Sequence, residues 1–220
     1  MSEQFGIVDG PLVYEGEEAA RRLTQLGIVH DRLDDALDAG DVSARQADQF
    51  SSVTAAGTLR WHETVRMLRQ GLAADGWTLN DVRNSPRVIS PTGNVAVVPV
   101  SGTADTGRAD GSPRTARPRG PASSRAVQIN GQLEFDLAAL LADMAAETAD
   151  AVETWFLLYY RAQGDELRAE LSLPVRISDK GVVDVWRERI ILPGRTFGSE
   201  LVVPRDAGGG DDVEFDIAAR

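Results

Sequence analysis

Cysteine is missing altogether from the 220 residues. That absence excludes disulfides, thiolate nucleophiles and cysteine-ligated zinc or iron–sulfur centres. Lysine is nearly missing: Lys180 stands alone among 23 basic residues, the rest being arginine. Chemistry that needs an amine must therefore use Lys180 or a substitute. The two histidines, His30 and His62, belong to no H-E-x-x-H or H-x-E pattern, and Arg66 stands where the second histidine of a zinc helix would follow His62. No EF-hand spacing and no G-x-S-x-G elbow occur. Neither a metal nor a cofactor is expected. The longest strongly apolar run, Trp155–Tyr160, falls far short of the roughly 20 residues of a membrane span. The opening MSEQFGIVDG has neither the basic region nor the apolar core of a secretory signal. A cytoplasmic protein without a membrane partner is the expectation. Arginine in place of lysine, with abundant alanine, aspartate and glycine, suits a GC-rich bacterial genome.

What is present is acidic, with a formal net charge of −11. Such a chain repels nucleic acid on average, so phosphate binding would need a local exception. Its length suits one domain or two small ones. Hydrophobic spacing predicts helices over the first third. Residues 15–27 place Ala19, Leu23 and Leu26 one turn apart and end at Gly27; residues 31–40 pair Leu33 with Leu37 and end at Gly40. From Ser43, a candidate N-cap, Phe50, Val53, Gly57, Trp61, Val65, Leu68 and Leu72 recur at steps of three and four, with Gly71 and Gly76 as candidate stops.

The pattern then changes. Residues 87–100 are rich in β-branched side chains and are broken by Pro91-Thr92-Gly93-Asn94, which predicts a β-hairpin. Residues 101–125 hold no large apolar side chain and read as a long, mobile loop. A helix is predicted over 135–152, then strands over 154–162, 167–177 and 182–192 joined by short turns, and a last strand over 213–217. Leu167, Ala169, Leu171 and Leu173 alternate with Arg168, Glu170 and Ser172, which predicts one buried and one wet face. The expected fold class is α+β: a helical N-terminal half followed by a β-hairpin, then a C-terminal antiparallel meander packed by a helix. The division is 1–100, 101–125 and 126–220, with all of it in one domain as the alternative.

Two enzyme signatures overlap at the strand-to-loop junction. Gly102 to Gly107 followed by Arg108 has the frame of a phosphate loop, but Ala109 replaces the hydroxyl that holds Mg²⁺, and Pro113, Pro118 and Pro121 forbid the helix that must follow. Asp105-Thr106-Gly107 is the D-T-G of an aspartic protease, but Arg108 beside it would hold Asp105 ionised, where that chemistry needs a shared proton. A metal-dependent nuclease or hydrolase could draw on Asp165, Glu166 and Glu170 of the meander, although Ser172 stands where the lysine of a D/E-x-K centre belongs.

The stronger signal is charge segregation. Arg108, Arg114, Arg117, Arg119 and Arg125 face only Asp105 and Asp110 within 101–125, on an otherwise acidic chain. Guanidinium forks suit carboxylate or phosphate. Asp31, Asp34, Asp35 and Asp38 line one helix face, which suits a basic partner or a clasp from the arginine loop. These features predict a non-catalytic bacterial interaction protein, a subunit of an assembly that meets an anionic partner through the arginine loop. A protein partner is the first expectation and nucleic acid the second; the sequence is silent on self-association.

Overall fold

The computed structural model describes residues 10–82, 85–119, 124, 127, 128, 130, 152–162 and 166–196. It is α+β: three helices and an eight-stranded mixed sheet among these residues. The order along the chain is β1 (Leu12–Tyr14), α1 (Gly16–Gln25), α2 (His30–Ala44), α3 (Ala55–Ala74), β2 (Thr78–Val82), β3 (Ser85–Ile89), β4 (Val95–Ser101), β5 (Glu153–Arg161), β6 (Glu166–Ile177), β7 (Val183–Ile191) and β8 (Arg195–Thr196). In space the strands run β1-β7-β6-β5-β4-β3-β2, with β8 beside β6.

The expected hairpin is β3–β4, and the expected meander is β5–β6–β7, antiparallel throughout. The two are joined directly. β4 pairs with β5 in parallel, from Val95↔Glu153 to Ser101↔Tyr159. A second parallel pair attaches β1 to β7. The predicted helix over 135–152 and the last strand over 213–217 lie outside the described residues.

Two helix boundaries differ from expectation. α1 stops as predicted: Gly27, at φ +72°, turns the chain so that the Ile28 amide donates to the Leu23 carbonyl. Gly40, however, does not end α2, which runs on to Ala44. Gly71 likewise lies inside α3, and Gly76, at φ +87°, makes the stop. Ser43 is not a cap, because α3 begins only at Ala55. Phe50 and Val53 therefore sit in the connection between the helices, 86% and 80% exposed.

Gly40 has a packing role instead. A Cβ there would run into Thr64 Oγ1 and lie 2.9 Å from the Arg60 carbonyl. Its hydrogen lets α2 and α3 cross closely. Gly40→Ala is expected to destabilise by about 1–3 kcal/mol through overpacking; thermal unfolding checks this, and an unchanged midpoint would refute it.

The helices cover one face of the sheet. Leu33, Leu37, Leu68 and Leu72 meet Val97, Trp155, Leu157, Leu171 and Ile190 in the larger core. The opposite face carries a smaller core of Val98, Val100, Val127, Phe156, Leu158, Val183 and Trp186. Contrary to the expected wet face of β6, Glu170 and Ser172 are fully buried there.

Candidate functional site

What buries them is the loop after β4. Residues 101–119 are held to the sheet by a series of hydrogen bonds, in contrast to the mobile loop expected. Thr103 N–H donates to the Arg114 carbonyl at 3.0 Å, Ala116 N–H to Ser101 at 2.9 Å, and Thr115 N–H to Val183 at 3.0 Å. The Trp186 indole N–H donates to the Pro113 carbonyl at 2.8 Å. Thr106 and Thr115 are buried. These anchors are backbone groups and small hydroxyls, so the segment folds without a large apolar side chain of its own.

The centre of the arrangement is an ion pair beneath the loop. Arg189 donates to Glu170 from Nε (3.1 Å) and Nη2 (2.6 Å), and both side chains are almost wholly out of solvent. Arg189 also donates to the carbonyls of Gly111 (2.8 Å) and Arg108 (2.9 Å). Glu170 accepts from Ser172 Oγ at 2.7 Å and from the Gly107 amide at 2.9 Å. Gly107 has φ +72°, and a Cβ there would lie 2.9 Å from Arg168 Cβ. The Thr106-Gly107 portion of the D-T-G thus serves as a loop anchor: the threonine is packed inside and the glycine amide is committed to Glu170.

The arginines expected to bind anions are on this loop. Arg108 and Arg114 are exposed, and Arg117 and Arg119 are half-buried. Arg108 pairs with Asp110 at 3.3 Å, which raises its guanidinium pKa and lowers that of the Asp110 carboxyl. Arg119 donates from its amide to the Gly181 carbonyl at 2.7 Å. That contact brings the arginine loop against the β6–β7 turn, which carries Lys180, exposed, with exposed Arg176 at the end of β6. Lys180 thereby joins the arginines in space, a juxtaposition that no sequence spacing announces. Arg125 lies outside the described residues.

The acidic helix face is divided. Asp31 and Asp35 are exposed. Asp34 and Asp38 are met by Arg195 of β8, whose Nε lies 3.5 Å from Asp38. His30 Nδ1 stands 3.3 Å from Asp34. Burial raises the Asp38 pKa, Arg195 works against that, and Asp34, Asp35 and Asp41 add to it. An arginine clasp on this face exists, supplied by β8.

Of the meander carboxylates, Glu170 is committed to Arg189, Glu166 is 3.8 Å from Arg168, and Asp165 lies outside the described residues. Among the described residues, no three His, Cys, Asp or Glu side chains gather to hold a metal ion. None of the described helices is long and apolar enough to cross a membrane.

One cluster was missed by sequence reasoning. Asp41, fully buried, faces Arg45, Arg60 and Arg161. Only the i, i+4 spacing of Asp41 and Arg45 was visible beforehand; the other two arrive from α3 and β5. Compared with known families, with curated proteins and with solved structures, the chain finds no match in any of the three.

Proposed function

We propose that this chain is a non-catalytic interaction protein of a bacterial cytoplasmic assembly, docking an acidic surface of a protein partner on its arginine loop. The observation that carries the reading is the contact of that loop with the β6–β7 turn. It collects Arg114, Arg117, Arg119, Arg176 and Lys180 on one part of a chain of net charge −11. Asp179 and Asp184 interrupt the strip without balancing it. A loop already fixed to the sheet loses little conformational freedom on binding, which favours affinity. Guanidinium groups held in place suit carboxylates, which they can bind two-pronged.

An acidic protein is favoured over nucleic acid on two grounds. No aromatic residue stands among the arginines of the loop to stack on bases. The acidic remainder of the chain repels a long polyphosphate more than it repels a compact acidic patch.

The test uses a fluorescent Asp/Glu-rich peptide and a DNA duplex as probes for the full chain. Peptide binding is expected at low salt, weakening as salt is added. It is expected to fall at least tenfold, about 1.4 kcal/mol, when Arg114, Arg117 and Arg119 become alanine. Peptide binding indifferent to that triple substitution, or binding of the duplex alone, overturns the reading.

A further inference from the structure

The cluster around Asp41 lies on the helical face of the sheet, away from the docking strip, and stands independently of it. α2 supplies Asp41 and Arg45, α3 supplies Arg60, and the end of β5 supplies Arg161. Arg45 binds Asp41 Oδ2 through Nε (3.1 Å) and Nη2 (2.9 Å), while Arg161 takes Oδ1. Arg45 and Arg161 make further contacts of their own. Arg60 differs. Its one contact with Asp41 is from Nη2 at 3.5 Å, the outer limit of a hydrogen bond, and its Nε is buried without a partner among the described residues. One helical turn on, Thr64 Oγ1 is likewise buried and, among the described residues, unpartnered. The three arginine side chains keep 12–20% of their surface in solvent.

A buried guanidinium with an unused donor is costly unless something accepts from it. Asp41 does not satisfy it: its Oδ1 meets Arg60 only through Nη2 at 3.5 Å and is held at shorter range by Arg161, while Oδ2 is held by Arg45. The unpartnered Nε and the loosely held Nη2 of Arg60 form a fork that matches two oxygens of an oxyanion. The guanidiniums come from three separate elements, and such a set suits a tetrahedral group better than a flat carboxylate. We infer that the junction of α2, α3 and β5 is a binding site for a phosphate group, free or as a monoester of a small molecule, with Arg60 as its principal donor.

The probes are inorganic phosphate and adenosine monophosphate, added to the full chain at constant ionic strength and followed by calorimetric titration and thermal unfolding. Phosphate at about 10 mM is expected to raise the unfolding midpoint above that in matched chloride, as any ligand selective for the native state does. Tighter binding of the nucleotide points to a monoester, and equal or tighter binding of inorganic phosphate to the free ion. Arg60→Met is expected to abolish the response, whereas Arg66→Met, on the exposed side of the same helix, keeps it. Arg60→Lys retains the charge and removes the fork, guarding against a methionine variant that does not fold, and is expected to weaken binding at least tenfold. The inference is overturned if neither probe exceeds the chloride control, or if Arg60→Lys binds as well as the natural chain.

Discussion

Arg189→Met is expected to destabilise the protein by about 3–5 kcal/mol, the cost of leaving a buried charge without its partner. For a chain of this size that lowers the unfolding midpoint by roughly 10 °C. Glu170 would keep its bonds from Ser172 and Gly107 but lose both guanidinium donors. The carbonyls of Arg108 and Gly111 would lose theirs. The double change Glu170→Leu with Arg189→Met separates the two consequences. An apolar pair of similar volume is often as stable as the ion pair it replaces, so most of the stability should return. The loop should not return with it, because both its carbonyl acceptors and the Gly107 amide have lost their partners. Limited proteolysis within 102–111 should therefore be faster in the double variant than in the natural chain, even at matched stability. A loss below about 1 kcal/mol for the single variant would show that the pair does not hold the structure together. Unchanged proteolysis in the double variant would show that the remaining anchors at Thr103, Thr115 and Trp186 suffice for the loop.

How much of this was legible beforehand depended on range. α1, the core of α2, most of α3 and the three meander strands announced themselves, because their buried residues recur at 3.6 or 2 positions and report a local choice of backbone. The parallel pairing of β4 with β5 leaves no such trace: it joins residues over fifty positions apart. β1 and β8 are too short to show any period, and in β2 the neighbours Asn80 and Asp81 break the alternation that marks a strand. Phe50 and Val53 kept helical spacing with α3 yet fall outside it, since spacing does not say where a helix begins. The polar face of β6 misled for the same reason. Alternation predicts that Glu170 and Ser172 point away from the main core, and they do; it cannot predict that a glycine-rich loop will cover them. The arginine loop and the acidic helix were visible as charge, whereas the cation that joins the one, Lys180, and the cation that pairs with the other, Arg195, came only with the fold.

Asp41→Asn should produce the other large effect, about 3 kcal/mol of destabilisation. The change keeps the shape of the side chain and removes the negative charge that Arg45, Arg60 and Arg161 share. Asparagine can accept on one atom only, so its amide nitrogen would be turned toward a guanidinium. Repulsion among the three cations is only partly screened at 12–20% exposure, and added chloride should recover a minor part of the loss. Denaturant unfolding measures the cost, and a value below about 1 kcal/mol would mean that the arginines are satisfied without Asp41. Phosphate offers a sharper distinction. If the cluster were a closed structural network, phosphate would act on the Asp41→Asn variant no differently from chloride. A junction built to hold an oxyanion predicts rescue: phosphate takes the place of the missing carboxylate. Its stabilising increment is then larger in Asp41→Asn than in the natural chain, and Arg60→Met on the same background erases it.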